Sequence, residues 1–325
     1  MRCTALITGI TGQDGSYLAE LLLSRGYRVH GYTRRQPNNL GNVAHLEWQL
    51  DLHRFPADEQ QCWDDLLAKI QPDEVYHLAA ESFVPNGWDS PCHNMESNLG
   101  LTIHILEAIR RHAPQAKFLN ACSREIYGRQ ISGMVNEKTP MNPLSPYGIN
   151  KASSRWMVQA YRERYGMFGV NAILFNHESP RRPQSFVTRK ITSSVARIVC
   201  GLQQHLELGN LAAVRDWGFA GEYVSGLYQM LQIGTPEDFV LGTGRLHSIE
   251  DFVRSAFQVV DLDWREYVQV TPELMRATDT PGVAADCTKA QRLLDWNPVC
   301  QLEDLIEIMV KADLQMESKQ QSRAA

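Results

Sequence analysis

Short apolar runs of strand character alternate with helical patterns through the first half of this sequence. The first run covers residues 3–8, a helical pattern follows at 16–25, and the alternation continues to a run at 169–175. Strands separated by helices form βαβ units, in which the strands are parallel and helices cover both faces of the sheet. The alternation therefore predicts an α/β fold built on a doubly wound parallel sheet.

The pattern along the rest of the chain sets the expected domains. Further strands are predicted at residues 27–33, 46–50, 74–78 and 117–121, with helices at 57–70, 99–112 and 147–165. After residue 176 the rhythm changes, and prolines and polar-aromatic stretches begin. We expect a cofactor-binding domain over residues 1–175, to which the chain returns around 218–246, and a smaller α/β substrate-binding domain mainly over 176–325.

A glycine turn occupies the first strand–helix junction. Gly9, Gly12 and Gly15 have the spacing G-x-x-G-x-x-G, which lets the backbone turn tightly and approach a pyrophosphate at the N-terminus of the next helix. A purely structural turn is the alternative, but its position in a βαβ chain favours a Rossmann dinucleotide site. The cofactor-binding residues predicted here are Gly9, Thr11, Gly12, Gln13, Asp14 and Gly15.

The end of the second predicted strand indicates which dinucleotide binds. NAD sites commonly carry an acidic residue about 20 residues after the glycines, where this chain has Arg34 and Arg35. Two guanidinium groups can bind a 2′-phosphate through paired hydrogen bonds, so NADP is predicted in preference to NAD. A solvated basic loop end is the alternative. Asp51 and Leu52, after the third predicted strand, are candidates for contact with the adenine.

A Tyr–Lys pair begins the long helix predicted at 147–165. Ser145 is a candidate N-cap and Pro146 a favourable first helical residue. Tyr147 and Lys151 then lie four residues apart on one helical face. The lysine ammonium is expected to lower the pKa of the phenol, which can then remove a proton from a sugar hydroxyl. An exposed surface pair is the alternative, but ligands bind beyond the carboxyl ends of such strands.

Two further polar residues follow the strand predicted at 117–121. The Ser123 hydroxyl can hydrogen-bond a reacting oxygen, and Glu125 supplies a carboxylate two residues later. Hydride transfer alone needs only a hydroxyl, a tyrosine and a lysine, so an added carboxylate indicates a second proton transfer. A solvated loop acid is the alternative for Glu125. The predicted catalytic residues are Ser123, Glu125, Tyr147 and Lys151.

Composition excludes several kinds of partner. The chain has 325 residues and a formal net charge of −5, which argues against nucleic-acid binding. Its apolar runs are far shorter than a bilayer span and no signal peptide is recognised, so no membrane association is expected. The seven cysteines are scattered and form no C-x-x-C pair, which predicts reduced thiols in a cytoplasmic protein. No cluster of histidines and acids has ligand spacing, so no metal is predicted.

The glycine turn, Ser123 and the Tyr147–Lys151 pair resemble the extended short-chain dehydrogenase/reductases. Within that family the chain is similar, over nearly its whole length, to the GDP-mannose 4,6-dehydratases. The most specific similarity lies in residues 7–15, 174–182, 186–190 and 209–218. The resemblance implies a binding site for a nucleotide-sugar, a GDP-hexose or GDP-heptose. The substrate-binding residues that it implies are Asn176, Glu178, Lys190, Arg215 and Arg276.

The resemblance also implies a redox-neutral dehydration of GDP-mannose or a related GDP-sugar. Tyr147, helped by Lys151, would take the C4 hydroxyl proton while a hydride passes from C4 to NADP. Glu125 would remove the C5 hydrogen, Ser123 would assist the loss of water from C6, and the hydride would return to C6. Two alternatives stay open: a keto-sugar reductase or 4-epimerase, which does not need Glu125, and a non-catalytic NADP-binding sensor.

Several positions depart from the pattern of the resembled family, mostly on the substrate side. Ser123 stands where threonine is usual and Arg124 where a small residue is usual. Residues 85–87, 183–185 and 277–281 also differ, which affects the expected sugar more than the expected redox chemistry. The loop after Arg35 is short, and from this we expect a homodimer, with a tetramer as the alternative.

Overall fold

A computed structural model describes residues 2–36, 38–84, 86–128, 133–275 and 282–324. The strands are β1 (Thr4–Thr8), β2 (Arg28–Tyr32), β3 (Asp51–His53), β4 (Glu74–His77), β5 (Lys117–Ser123), β6 (Met134–Val135), β7 (Gly169–Leu174), β8 (Asn176–Glu178), β9 (Leu206–Leu208), β10 (Val214–Arg215), β11 (Trp217–Phe219), β12 (Phe239–Leu241), β13 (His247–Ser248), β14 (Val268–Val270) and β15 (Ala284–Ala285). The helices are α1 (Gln13–Ser24), α2 (Gln60–Ile70), α3 (Asn86–Asp89), α4 (Pro91–Met95), α5 (Leu101–His112), α6 (Pro146–Tyr165), α7 (Val187–Val199), α8 (Ala220–Gln232), α9 (Ile249–Gln258), α10 (Thr288–Leu294) and α11 (Leu302–Ala324).

Seven of the described strands form one sheet in the order β3-β2-β1-β4-β5-β7-β12. Every neighbouring pair in it is parallel. The chain runs outward from β1 to β3 and then crosses to β4 on the other side of β1. That reversal opens a crevice at the carboxyl ends of the central strands, where ligands bind in folds of this kind. The expected doubly wound parallel sheet is confirmed.

Helices cover both faces of the sheet. Apolar residues of α1 and α8 pack on one face, and those of α2, α5 and α6 pack on the other. All six residues of β7 are buried, as expected for a strand covered on both sides. A third apolar cluster joins α7, α9 and α11 with β9, and its members Ile191, Phe252 and Ile306 are fully buried. Burial of each such side chain contributes about 1.5–3 kcal/mol.

The third strand differs from the expectation. Most of the segment 46–50, which was predicted to be a strand, lies in a 3-10 helix, Gly41–Gln49, whose buried residues are Val43 and Leu46. The strand itself begins one residue later, at Asp51, and pairs with β2. The segment alternates apolar and polar side chains, a pattern typical of a strand, but packing of Val43 and Leu46 against the sheet favours the helical turn.

Residues beyond 218 contribute to the sheet layer as well. Helix α8 packs against α1, and β12 extends the sheet beyond β7. The other described strands form small two-stranded pairs, among them β8 with β11 and β10 with β13. None of the described helices has both the length and the apolar character needed to cross a bilayer.

Candidate active site

A cavity of about 640 Å³ lies at the carboxyl ends of the sheet strands, between the sheet and the segments that carry β8 and β10. It brings together residues that are more than 100 positions apart in the sequence. The predicted site residues that line it are Asp14, Ser123, Glu125, Tyr147, Lys151, Asn176, Glu178, Lys190 and Arg215. Arg276, also predicted to bind the substrate, lies outside the described residues.

The glycine turn beside this cavity has the form that a dinucleotide pyrophosphate needs. Gly9 has a φ of +70°, and a Cβ there would lie 2.8 Å from the backbone nitrogen of Ala79. A Cβ on Gly15 would lie 2.6 Å from Cα of Ile10. Side chains at these positions would collide with neighbouring backbone at the start of α1. The N–H groups in the first turn of a helix can bind an anion there. The turn therefore fits the phosphates of a dinucleotide.

Gln13 and Asp14 connect this turn to the segment after β7. The Gln13 amide donates to the carbonyl oxygen of His177 at 3.0 Å, and the Asp14 carboxylate lies 2.9 Å from Nε2 of His177. Burial disfavours both charges, but their pairing holds the pKa of Asp14 below and that of His177 above the ordinary values. Both residues were predicted to bind the cofactor, and that role stays a prediction, while their side chains make contacts within the protein. Their backbone N–H groups are left to face a ligand.

Arg34 and Arg35 lie at the carboxyl end of β2, and both are exposed. The backbone N–H of Arg35 donates to Oγ1 of Thr33 at 3.1 Å, which in turn lies 3.3 Å from Oγ1 of Thr11 in the glycine turn. A Cβ on Gly41 would overlap Nη1 of Arg35 and lie 3.7 Å from the carbonyl oxygen of Thr11. The Arg35 guanidinium is thus held next to the turn.

Asp51 begins β3 rather than following it. Its carboxylate accepts a hydrogen bond from Nε of Arg28 at 2.9 Å. The strand was therefore predicted too early in the sequence, and the expected contact of Asp51 with adenine stays a prediction. Leu52 does lie near the turn: a Cβ on Gly31 would be 2.5 Å from Cδ1 of Ile10 and 3.0 Å from Cδ2 of Leu52.

Ser123, Tyr147 and Lys151 meet where β5 ends and α6 begins. The Ser145 side chain caps α6 by accepting a hydrogen bond from the Gly148 N–H at 3.0 Å, as expected. Nζ of Lys151 lies 5.8 Å from the centre of the Tyr147 ring and donates to the carbonyl oxygen of Ala121 at 2.7 Å. The helix cap and the four-residue spacing thus place both side chains toward the end of β5.

The electrostatics of this pair differ from the expectation. Burial raises the pKa of Tyr147 above its ordinary value, although a hydrogen bond with Ser123 acts in the opposite direction. Burial also lowers the pKa of Lys151 to about 8. The expected lowering of the phenol pKa by the lysine is therefore wrong for the protein alone. The reason is that removal from water disfavours the phenolate more strongly than the nearby groups stabilise it.

Replacement of Lys151 by methionine is expected to stabilise the fold at pH 7. The shift of the Lys151 pKa from 10.5 to about 8 means that burial of the charge costs about 3 kcal/mol. Loss of the hydrogen bond to Ala121 in the variant offsets about 1 kcal/mol of that gain. The free energy of unfolding of K151M, measured in urea at pH 7, should therefore exceed that of the wild type by on the order of 2 kcal/mol. The folded protein binds fewer protons than the unfolded chain between pH 8 and 10.5, so the wild type regains stability as the pH rises through that window.

The matched control for this measurement is Lys69→Met. Lys69 is exposed on α2, so the change should leave the free energy of unfolding within about 0.5 kcal/mol of the wild-type value. A K151M protein no more stable than the wild type at pH 7 would contradict a charged, buried lysine.

Glu125 lies on a single 3-10 turn, Arg124–Ile126, directly after β5. The Ser123 side chain caps the turn by accepting from the Glu125 N–H at 3.2 Å. Gly148 allows close contact between α6 and this turn, since a Cβ there would lie 2.7 Å from the carbonyl oxygen of Glu125. The Glu125 carboxylate is 24% exposed and lies 3.1 Å from Nη2 of Arg124. The carboxylate and the Tyr147 phenol therefore share one end of the cavity.

Two cations and an amide line the substrate side. Asn176 lies on β8, opposite Trp217 of β11. Lys190 lies on α7, and its Nζ donates to the carbonyl oxygen of Glu207 at 2.7 Å. Arg215 ends β10, and its Nη1 donates to the carbonyl oxygen of Val214 at 2.7 Å. Both side chains line the cavity, and their positive charge suits an anionic ligand.

The Glu178 carboxylate contacts two other residues of the cavity. Its side chain is 2% exposed, accepts a hydrogen bond from Oγ1 of Thr188 at 2.6 Å and pairs with Nε of Arg182 at 3.1 Å. Glu178 also lines the cavity, and its predicted contact with the substrate stays a prediction.

Sequence reasoning missed an aromatic contact at this cavity. Phe83, after β4, packs edge-to-face on Phe186 with ring centres 5.7 Å apart. The Arg182 guanidinium lies 3.6 Å from the centre of the Phe186 ring. No local pattern could have shown this, because the two phenylalanines are about 100 residues apart. The contact joins the loop after β4 to the segment before α7.

The fold and the cavity together define the class of protein. A glycine turn opens a doubly wound parallel sheet, and a serine, a tyrosine and a lysine meet at its carboxyl edge. No group of three or more His, Cys, Asp or Glu side chains suited to a metal occurs in the described part of the chain. These features define an extended short-chain dehydrogenase/reductase.

Solved structures share this fold. UDP-glucose 4-epimerase from Thermotoga maritima superimposes with a TM-score of 0.86 at 22% identity, over 97% of this chain and 99% of that chain. dTDP-glucose 4,6-dehydratase from Bacillus anthracis gives 0.85 at 20% identity, over 97% of this chain and 98% of that chain.

Sequence comparison identifies the family within this class. The family model described as GDP-mannose 4,6 dehydratase matches residues 6–309. GDP-mannose 4,6 dehydratase 2 of Caenorhabditis elegans is 41% identical, over 96% of this chain and 89% of that protein. The human GDP-mannose 4,6 dehydratase is 39% identical over 97% and 92%, and that of Yersinia enterocolitica 38% over 96% and 94%. The chain belongs to the GDP-mannose 4,6-dehydratase family.

Proposed function

We propose that this protein is a nucleotide-sugar 4,6-dehydratase that converts GDP-mannose to a GDP-4-keto-6-deoxy sugar. One observation carries the proposal: the Glu125 carboxylate lines the same cavity as Ser123, Tyr147 and Lys151. A keto-sugar reductase or 4-epimerase does not need that carboxylate. A non-catalytic sensor would not need the Tyr–Lys pair. Family membership supports the dehydratase over both alternatives.

In the first stage, Tyr147 would accept the proton of the sugar C4 hydroxyl, with Ser123 hydrogen-bonded to the same oxygen. Lys151 would stabilise the developing phenolate through its charge. A bound nicotinamide cofactor supplies the redox chemistry, because it can accept a hydride from C4 and return it to C6. The ketone that forms at C4 makes the neighbouring C5 hydrogen acidic.

In the second stage, Glu125 would remove the C5 proton. The C6–oxygen bond then breaks, a C5–C6 double bond forms, and the hydroxyl takes the proton from Glu125 and leaves as water, with a hydrogen bond from Ser123. Return of a hydride to C6 and of the proton held by Tyr147 to C5 would complete the product. The overall change is the loss of one water with no net oxidation, so the cofactor ends in its starting state.

Lys190 and Arg215 would hold the diphosphate of the substrate, and Asn176 would bind its sugar. In a chain whose net charge is −5, these two positive side chains would offset the negative charge of the diphosphate. Arg276 is proposed for the same side on the resemblance alone.

The substrate can be tested directly. Purified protein incubated with GDP-mannose and NADP should release a nucleotide-sugar lighter by one water, which carries a ketone at C4. The product is measured by mass spectrometry, and UDP-glucose serves as the matched control. Dehydration of UDP-glucose in place of GDP-mannose would support the dehydratase reaction but contradict GDP as the nucleotide of the substrate. Release of a C4 epimer without loss of water would contradict the dehydratase.

We propose NADP as the cofactor, because Arg34 and Arg35 lie next to the glycine turn. Arg35→Ala should weaken NADP binding by about 10- to 100-fold, the value of one or two charge-assisted hydrogen bonds. The affinity for NAD, which has no 2′-phosphate, should fall by less than about threefold. Isothermal titration of the protein with each dinucleotide measures both values.

Arg28→Ala is the matched control for this prediction. Arg28 begins β2 at the end far from the glycine turn and pairs with Asp51. Its loss should change neither affinity. Equal weakening of NADP and NAD by R35A would show that Arg35 does not bind the 2′-phosphate.

A further inference from the structure

Arg124 stands next to the proposed base and is almost completely removed from solvent. Its side chain is 4% exposed, and its Nη2 lies 3.1 Å from Oε1 of Glu125. Both residues line the cavity, on the turn whose cap is Ser123. A guanidinium loses much of its hydration in such a place, so nearby negative charge must compensate for it.

Glu125 is an ion-pair partner of Arg124 that lines the cavity. Two neighbouring charges also act on Arg124: Arg215, which ends β10, disfavours its positive charge, and Asp216, the next residue, favours it. Asp216 is fully buried and accepts hydrogen bonds from Thr243, Gly244 and Ala285. Its carboxylate is therefore held by these other parts of the protein. The Glu125 carboxylate, in contrast, has an exposed part that can meet a substrate.

We propose that Arg124 is a positioning residue: its ion pair holds the Glu125 carboxylate in the orientation that reaches the C5 hydrogen of the bound sugar. This inference rests on the proposed dehydration. A carboxylate on a side chain with several rotatable bonds loses orientation when its partner is removed. A misplacement of about 1 Å at a reacting group can lower the rate about 100-fold.

Arg124→Met tests this role in a single turnover with GDP-mannose and NADP. After an acid quench, borodeuteride reduction marks each C4 ketone with one deuterium. Mass spectrometry then separates sugars that are only oxidised from sugars that have also lost water. In R124M the ratio of dehydrated to merely oxidised sugar should fall about 100-fold from the wild-type value. Arg124→Lys should recover part of the ratio, since an ammonium can pair with Glu125 without the planar fork of a guanidinium.

Arg155→Met is the matched control. Arg155 is a buried guanidinium on α6 that pairs with Asp238 at 3.2 Å and does not line the cavity. R155M should lower the melting temperature and leave the ratio unchanged, which separates loss of stability from loss of position. GDP affinity should stay within about threefold in R124M, because the proposed role is toward Glu125 and not toward the diphosphate.

Three results would overturn the proposal. An R124M enzyme that keeps the wild-type ratio would show that Arg124 does not position the base. A tenfold loss of GDP affinity with an unchanged ratio would show that Arg124 binds the diphosphate instead. A wild-type enzyme that oxidises C4 without ever losing water would refute the proposed function itself, a result distinct from the other two.

Discussion

Glu125→Gln is expected to abolish dehydration while oxidation at C4 continues. Glutamine has nearly the shape of glutamate but cannot accept the C5 proton, and a general base of this kind contributes about 10³-fold in rate. Single-turnover mixtures treated with borodeuteride should contain GDP-sugar that carries a deuterium at C4 and has kept its water. The wild-type mixture should contain dehydrated sugar instead. The difference places the loss at the second stage of the reaction.

Two further variants make this result specific. Glu125→Asp keeps the charge but withdraws it from the cavity, so partial dehydration should remain. Glu163→Gln makes the same chemical change at an exposed position on α6 and should leave both stages unchanged. Undiminished dehydration by E125Q would exclude Glu125 as the base.

Tyr147→Phe is expected to stop the reaction one stage earlier. The phenol is 7% exposed and hydrogen-bonded to Ser123, so its hydroxyl is fixed at the place where the C4 proton must go. Phenylalanine keeps the ring and removes that acceptor. Formation of C4 ketone should fall about 10³-fold, and neither oxidised nor dehydrated sugar should accumulate in the single-turnover assay. E125Q should thus accumulate the C4 ketone, and Y147F should not.

The control for this change is Tyr165→Phe. Tyr165 lies on the same helix, is 50% exposed and is far from the cavity, so its hydroxyl can be removed without effect on the ketone yield. Binding of GDP-mannose to Y147F should change less than about tenfold, since the proton acceptor acts mainly in the transition state. A Y147F enzyme that oxidises C4 at the wild-type rate would refute the assignment.

The sequence predicted most of the sheet because its signals are local. The residues of β7 form an apolar run that is buried on both faces, and the prediction differs from the strand only at its end. The region of β3 was harder, since the alternating segment 46–50 indicates a strand but is short enough to form a helical turn. There the contacts of Val43 and Leu46 with the rest of the core decide the structure.

The site divides in the same way. Ser145 and the spacing of Tyr147 and Lys151 could be read from the sequence, because a cap and a helical face involve neighbours along the chain. The roles of Glu178 and Asp51 could not. Each carboxylate was available to a ligand as far as the sequence shows, and each is taken by a guanidinium of the folded protein.

By itself, the sequence determined the order of strands and helices, the glycine turn and the chemical groups needed for hydride and proton transfer. Only the tertiary structure decided how those groups are used. It pairs Asp14 with His177 and buries Tyr147 and Lys151, so that their pKa values move in directions that spacing alone does not show. Burial and charge pairing depend on residues that are distant in the chain, and they become definite only when the chain folds.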